Sequence, residues 1–162
     1  MILSIIIIIL VIALDQVTKY LTLANLASIP TFPIIEDVLH LTYVENRGAA
    51  FGMLADHREV FMIISTVGII AIFVWMAVSK PKSLWMRIGL SFVIGGGIGN
   101  MIDRIARGFV VDMIDCRFIN FYVFNVADSF VCVGCGMVLI ALVIEIIAEA
   151  KQKKTVGEKT ND

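Results

Sequence analysis

Four aspartates, Asp15, Asp103, Asp112 and Asp128, lie in or beside strongly apolar stretches of this 162-residue chain. An ionised carboxylate in such surroundings loses much of its hydration, so its presence calls for a partner or a task. Two carboxyl groups brought close together cannot both ionise easily and come to share a proton, which is the arrangement aspartyl acid–base chemistry uses. Other polar residues accompany them. Asn100, Asp103 and Arg104 are spaced i, i+3 and i+4 and share one helical face, and Asn125 stands three residues before Asp128. Asp15 and Lys19 are at i and i+4 in the favourable acid-first order, which reads first as an ion pair anchoring a helix at the membrane interface. Asp128 also reads as an ordinary helix-start residue stabilised by the helix dipole. Asn100 and Arg104 read either as a polar helix end or as donors aimed at a site, and spacing alone leaves both readings open.

Other chemistries find less support. Cys132 and Cys135 form a Cys-x-x-Cys pair on one helical stripe with Asp128, but they fall within an apolar run with no histidine and no second cysteine pair. Small-residue packing is the simpler reading. His40 and His57 are too far apart for a zinc helix motif. No serine comes with both a histidine and an acid, and no glycine-rich phosphate loop is present, so neither metal nor cofactor is expected. Three unevenly spaced cysteines do not make a disulfide framework. A net charge of −1 leaves no basic stripe for nucleic acid.

The elements that must position these residues follow from composition. With 59% hydrophobic and 17% charged residues, a chain this short cannot hide its apolar surface from water. Lipid must be the solvent. A span needs roughly 20 apolar residues, and four stretches qualify: about Met1 to Leu21, Val60 to Ser79, about Leu84 to Ile102, and about Val126 to Ala148. The first lacks a basic lead and a small-x-small cleavage site, so it is expected to remain as a helix rather than act as a signal peptide. Gly95 and Gly99 form a small-xxx-small pair suited to close helix packing.

Four crossings put both termini on one side and all four aspartates near the opposite face. Lysines on the terminal side tilt the positive-inside balance slightly towards cytoplasmic termini. Val38 to Val44 alternates as a half-buried strand, with Leu39, Leu41 and Tyr43 on one face and His40 and Thr42 on the other. Pro30 and Pro33 read as turn residues before it. Phe109 to Val111 and Phe118 to Phe124 are also strand-like. The expected fold is an all-α membrane protein of four transmembrane helices with a small extracytoplasmic sheet and a mobile loop outside. One domain covers residues 1–150, including loops 22–59 and 105–125. A polar tail over 151–162 is expected to be disordered and cytoplasmic.

Taken together, these residues resemble the lipoprotein signal peptidases, the bacterial membrane aspartyl enzymes also called signal peptidase II. The resemblance rests on five blocks in family order: Asp15-Gln16-Val17-Thr18-Lys19, Asn46-Arg47-Gly48-Ala49-Ala50-Phe51-Gly52, Gly99-Asn100-Met101-Ile102-Asp103-Arg104, Gly108-Phe109-Val110-Val111-Asp112 and Phe124-Asn125-Val126-Ala127-Asp128-Ser129. It implies that Asp112 and Asp128 are the catalytic dyad. It implies that Asn46, Gly48, Asn100, Arg104 and Asn125 position substrate or dyad, and that Asp15, Lys19 and Asp103 hold the site together. It further implies a multi-pass protein of the bacterial cytoplasmic membrane with cytoplasmic termini and an active site near the outer face. The partners it implies are a lipidated prolipoprotein substrate and membrane lipids, with the chain acting as a monomer. The chain departs from the family pattern at Met1-Ile2-Leu3, where a short basic lead is common, and at Met113-Ile114, where an aromatic often follows the aspartate.

Two rivals come from other classes. A proton-coupled transporter also needs intramembrane carboxylates, but near the midplane rather than at one face. A magnesium-dependent lipid phosphotransferase would gather its aspartates on adjacent turns, whereas these come from separate helices and a loop.

Overall fold

The computed structural model describes residues 1–48, 58–119 and 121–159. In chain order the elements are α1 (Ile2–Asn25), β1 (Phe32–Ile35), β2 (Leu39–Asn46), α2 (Arg58–Ser79), α3 (Leu84–Ala106), β3 (Val110–Cys116), a short 3-10 turn (Arg117–Ile119) and α4 (Val126–Lys159). Among the described residues, α1, α2 from Met62 and α4 as far as Lys153 are long and apolar enough to cross a membrane. Their isoleucines, valines and leucines pack poorly against water but well against lipid, where a helix satisfies every backbone group internally. α3 carries the glycine run together with Arg87, Asn100, Asp103 and Arg104, and packs against the other three helices. The chain is therefore mostly helical and built for a membrane.

α3 is the hub because its glycines bring its neighbours close. A Cβ at Gly95 would lie 2.8 Å from Val11 Cβ, and one at Gly99 would lie 2.5 Å from Asp15 Oδ2. The four-residue spacing of Gly95 and Gly99 thus matches that of Val11 and Asp15 on α1, as the small-xxx-small pair suggests. On the α4 side, Gly89 and Gly134 oppose each other so tightly that a Cβ on either would meet the other's carbonyl oxygen, at 2.8 and 2.6 Å. Ser83 caps α3 by accepting from the Met86 backbone N–H at 3.2 Å. At the other end Gly108, with φ 86°, turns the chain from α3 towards β3.

The three strands form one antiparallel sheet in the order β1-β2-β3. Between β2 and β3 the register passes from Leu41 opposite Ile114 to Val44 opposite Asp112, so β2 carries one extra residue there. That bulge keeps Leu41, Val44 and Asn46 on the face of the sheet shared with Asp112.

Several expectations need correcting. Pro33 is not in a turn but in β1, an edge strand where a missing N–H costs no ladder bond. Among the described residues of Phe118 to Phe124 there is no strand; Arg117–Ile119 is a 3-10 turn and Phe124 bridges to Ile114. In β2 the polar residue His40 is the buried one, while Leu39, Leu41 and Tyr43 are half-buried. Side-chain bonding explains the inversion: Thr31 Oγ1 lies 3.2 Å from His40 Nδ1 and 2.9 Å from Thr42 Oγ1, and Thr42 donates to Asp115 Oδ2 at 2.9 Å. α4 continues as helix to Lys159, through most of the segment expected to be a disordered tail. Glu149 and Lys153 stand there at the helix-supporting i, i+4 spacing. The expected mobile cover over Asn46 to Gly52 falls, from Ala49 onwards, outside the described residues.

Candidate active site

The buried acids, Lys19 and their amide partners are gathered at one end of the helices. Asp15, Lys19 and Asp103 have fully buried side chains, with Lys19 Nζ 2.9 Å from Asp15 Oδ2 and 3.2 Å from Asp103 Oδ2. The Asp15–Lys19 pair is thus present, but inside the helix packing rather than at the interface. Asp15 Oδ1 accepts the Ala127 backbone N–H at 3.0 Å, joining α1 to the start of α4. Asp103 does the same for the loop after α3: its Oδ2 accepts the Val111 backbone N–H at 3.0 Å, and Arg107 Nη1 lies 2.5 Å from its Oδ1. Gln16 Nε2 completes the group, reaching Asp15 Oδ2 at 3.2 Å, Gly99 O at 3.1 Å and Asp103 Oδ1 at 3.3 Å. Removing Lys19 would leave the buried Asp15 carboxylate without an ionic partner, a loss that costs roughly 3–5 kcal/mol. Sequence reasoning misses Gln16 and Arg107 as members of this group. Their signals are the position next to Asp15 and the i, i+4 spacing from Asp103.

Asp112 and Asp128 are brought together above this base. Asn125 N-caps α4 and Asp128 is the third residue of its first turn, so the two form a reciprocal capping box. Asn125 Oδ1 accepts the Asp128 backbone N–H at 2.9 Å, and Asp128 Oδ2 accepts the Asn125 backbone N–H at 3.2 Å. The helix-start reading of Asp128 is therefore true as well. It does not exhaust the residue, because Asp128 Oδ1 accepts Asn100 Nδ2 at 2.7 Å from α3. Asn125 Nδ2 reaches across to Asp112 Oδ1 at 2.6 Å, and Asn46 Nδ2 on β2 donates to Asp112 Oδ2 at 2.9 Å. Every oxygen of both carboxyl groups thus receives an N–H.

Asn46 Oδ1 accepts the Gly48 backbone N–H at 3.1 Å, and Arg104 Nη2 donates to the Gly48 carbonyl at 3.2 Å, so Gly48 is held from both sides. Arg104 Nη1 also reaches the Asn100 carbonyl at 3.3 Å. All the site residues picked out in the sequence meet in this one network. Arg47 points away from it, pairing with exposed Glu45 at 2.7 Å and lying over the Phe109 ring. Cys132 and Cys135 are exposed on the flank of α4, and among the described residues no cluster of three His, Cys, Asp or Glu is arranged to hold a metal ion.

The electrostatics suit proton transfer. Asp112 is buried in β3, and that burial pushes its carboxyl up to about 6. The charge of Asp128 adds to the rise, while the amides of Asn46 and Asn125 and the Lys19 ammonium oppose it. A carboxyl group poised there can hold or release a proton near neutral pH.

Comparisons with known proteins identify the family. The family model described as "Signal peptidase (SPase) II" matches residues 7–144. The chain is 48% identical over 132 residues to a lipoprotein signal peptidase of Clostridioides difficile, covering 82% of this chain and 88% of that one. It is 46% identical over 131 residues to a lipoprotein signal peptidase of Caldanaerobacter subterraneus, covering 81% and 89%. A solved structure described as a bacterial membrane enzyme superposes with a TM-score of 0.81 at 36% identity, over 88% of each chain. On the matched span and these identities, the chain belongs to the signal peptidase II family.

Proposed function

We propose that this protein is an aspartyl endopeptidase of the bacterial membrane that removes signal peptides from lipidated prolipoproteins, with Asp112 and Asp128 as its dyad. The observation that carries this reading is the Asn125 side chain, which bonds Asp112 through its nitrogen while its oxygen holds the first turn bearing Asp128. A strand residue and a helix-start residue are thereby held at one point, with one carboxyl raised to about 6. One ionised carboxylate takes a proton from water, whose oxygen attacks the scissile carbonyl. The protonated partner supports the developing oxyanion, and the leaving nitrogen is protonated as the bond breaks. Asn46, Gly48, Asn100, Arg104 and Asn125 position substrate and dyad, and Asp15, Lys19 and Asp103 form the charged base beneath.

With α3 read as the remaining crossing both termini lie on one side, which the lysines there and the family resemblance make the cytoplasmic one, with the dyad near the outer face. The sheet then rests on the outer membrane surface, with exposed Phe32, Ile34, Phe118 and Tyr122 in the lipid interface. The end-of-helix position of the acids favours hydrolysis over transport, which would use acids at the midplane. The test is cleavage of a purified lipidated precursor by wild type, Asp112→Asn and Asp128→Asn, with and without EDTA. Each variant is expected to fold and to retain less than about one per cent of activity, and EDTA to have little effect. Substantial cleavage by either variant would remove the dyad, and chelation loss restored by a divalent ion would favour the phosphotransferase.

A further inference from the structure

The direction of the amides in the site is fixed from one end. Lys19 Nζ has donors only, so the Asn100 atom 2.8 Å from it must be the carbonyl oxygen. Asn100 Nδ2 is then committed to Asp128 Oδ1. The same Asn100 oxygen accepts Asn125 Nδ2 at 3.1 Å, which fixes the second amide in turn. Its nitrogen faces Asp112 and its oxygen faces the Asp128 backbone N–H. One buried ammonium therefore fixes which atom of Asn100 meets Asp128, and the Asp128 backbone N–H fixes Asn125 in the matching sense.

The two aspartates are not met equally. Asp112 is enclosed, only 1% exposed, and bonded by two neutral side-chain amides. Asp128 is partly open, and receives one amide polarised by Lys19 and one backbone N–H at the start of a 34-residue helix. A helix N-terminus and a charge-assisted donor chain favour negative charge, whereas enclosure favours the neutral acid.

We propose that Lys19 is a positioning residue of the reaction: acting through Asn100, it holds the resting negative charge of the dyad on Asp128 and leaves the shared proton on Asp112. This rests on the dyad reading above and adds to it the identity of the base. Asp128 takes the water proton as the water oxygen bonds to the scissile carbonyl carbon, and Asp112 gives its proton to the carbonyl oxygen. When the C–N bond breaks, Asp128 passes its proton to the leaving nitrogen and the diol returns one to Asp112. The dyad ends as it began. Burial pushes the Asp112 carboxyl up and the direct field of the Lys19 ammonium opposes that push, so the assignment to Asp128 rests on the Asn100 bond and on the enclosure of Asp112. The other charged groups around the relay are Asp15 and Asp103 beside Lys19, Arg107 on Asp103 and Arg104 on the backbone carbonyl of Asn100.

Lys19→Met alone would leave Asp15 and Asp103 poorly matched, so the working variant is Asp15→Asn with Lys19→Met, which removes one charge of each sign. The replacement amide on α1 keeps an oxygen for the Ala127 N–H. Steady-state cleavage of a lipidated precursor is measured across pH beside thermal melting in detergent. The expected result is a folded enzyme with KM changed less than about twofold, kcat lower by about tenfold, and the acid limb of kcat moved to higher pH. The limb moves upward because losing the ammonium makes the first ionisation of the dyad harder. Asn100→Ala, which cuts the relay but keeps the ion pairs, is expected to move the limb the same way and serves if the double variant does not fold. A folded variant with the wild-type limb, losing activity only with folded protein, makes Lys19 merely structural and overturns the proposal. Asp112→Asn and Asp128→Asn run alongside: residual activity in either overturns the dyad itself, whereas two dead variants with an unmoved limb overturn only the role of Lys19.

Discussion

At the scale of residues, the site trades stability for reactivity, and Asp112 shows the trade most directly. Its carboxyl ordinarily ionises at 3.8 and burial raises this to about 6. Below the lower value it is protonated whether folded or unfolded. Between the two values the folded chain keeps a proton that the unfolded chain has released, so stability falls as pH rises through that window. Above about 6 the cost of the buried charge is borne in full. Asparagine at 112 cannot ionise and escapes this cost, although its amide nitrogen would face the N–H of Asn46 or Asn125. The melting temperature of Asp112→Asn relative to wild type is therefore expected to rise between about pH 4 and about pH 6 in detergent and to level off above that. A difference that stays constant across that range would show that Asp112 titrates in the fold as it does in water.

At the scale of elements, α3 does the positioning, and its glycines are where a side chain is least tolerated. A Cβ at Gly99 would sit 2.5 Å from Asp15 Oδ2, on the carboxylate that ties Lys19 to Ala127. Gly99→Ala is expected to cost about 1–3 kcal/mol and to lower cleavage by more than the loss of folded protein explains. Gly136 on α4 provides the control, because a Cβ there meets nothing within 4 Å. Gly136→Ala is expected to leave activity intact and to stabilise slightly, since alanine exceeds glycine in helix propensity by up to about 1 kcal/mol. Equal effects at the two positions, read by melting and by cleavage, would remove the close-approach explanation. The sheet contributes in a second way. Its bulge places Asn46 on the Asp112 face, and without the extra residue the asparagine would turn to the other side.

At the scale of the whole molecule, the chain is apolar outside and polar within. Ile2, Val78 and Ile105 are more than two-thirds exposed, whereas Asp15, Lys19, Asp103 and Asn125 have no exposed surface. Such a distribution is stable only with lipid around it. The proposed topology puts Asp37, before β2, outside the cell and Lys82, between α2 and α3, in the cytoplasm. In a background with Cys116, Cys132 and Cys135 replaced by alanine or serine, which should keep most activity, a cysteine introduced by Asp37→Cys is expected to react with an impermeant maleimide in intact cells. One introduced by Lys82→Cys is expected to react only after lysis. The reverse pattern would invert the orientation, and loss of activity in the cysteine-free background would return the thiols to the chemistry.

The membrane class and the helices are legible in the order of residues alone. Hydrophobic runs of spanning length leave lipid as the only solvent that suits them, and polar residues are too costly there to be incidental, so Asp15, Lys19, Asn100, Asp103, Asp112, Asn125 and Asp128 stand out by position. The strand over Val38 to Val44 is legible from its alternation, but its buried face is not, because Thr31 and Asp115 bond His40 and Thr42 only once β1 and β3 flank β2. Strand-like composition over Phe118 to Phe124 likewise yields to a single bridge at Phe124. The wiring belongs to the tertiary structure. The i, i+4 pair of Asp15 and Lys19 looks like a surface anchor in one dimension, and becomes a buried cation aimed at Asn100 when Gly95 and Gly99 let α1 close on α3. Which amide meets which carboxylate depends on contacts between residues 13 to 81 positions apart. Local propensity is silent about such contacts, and packing alone fixes them.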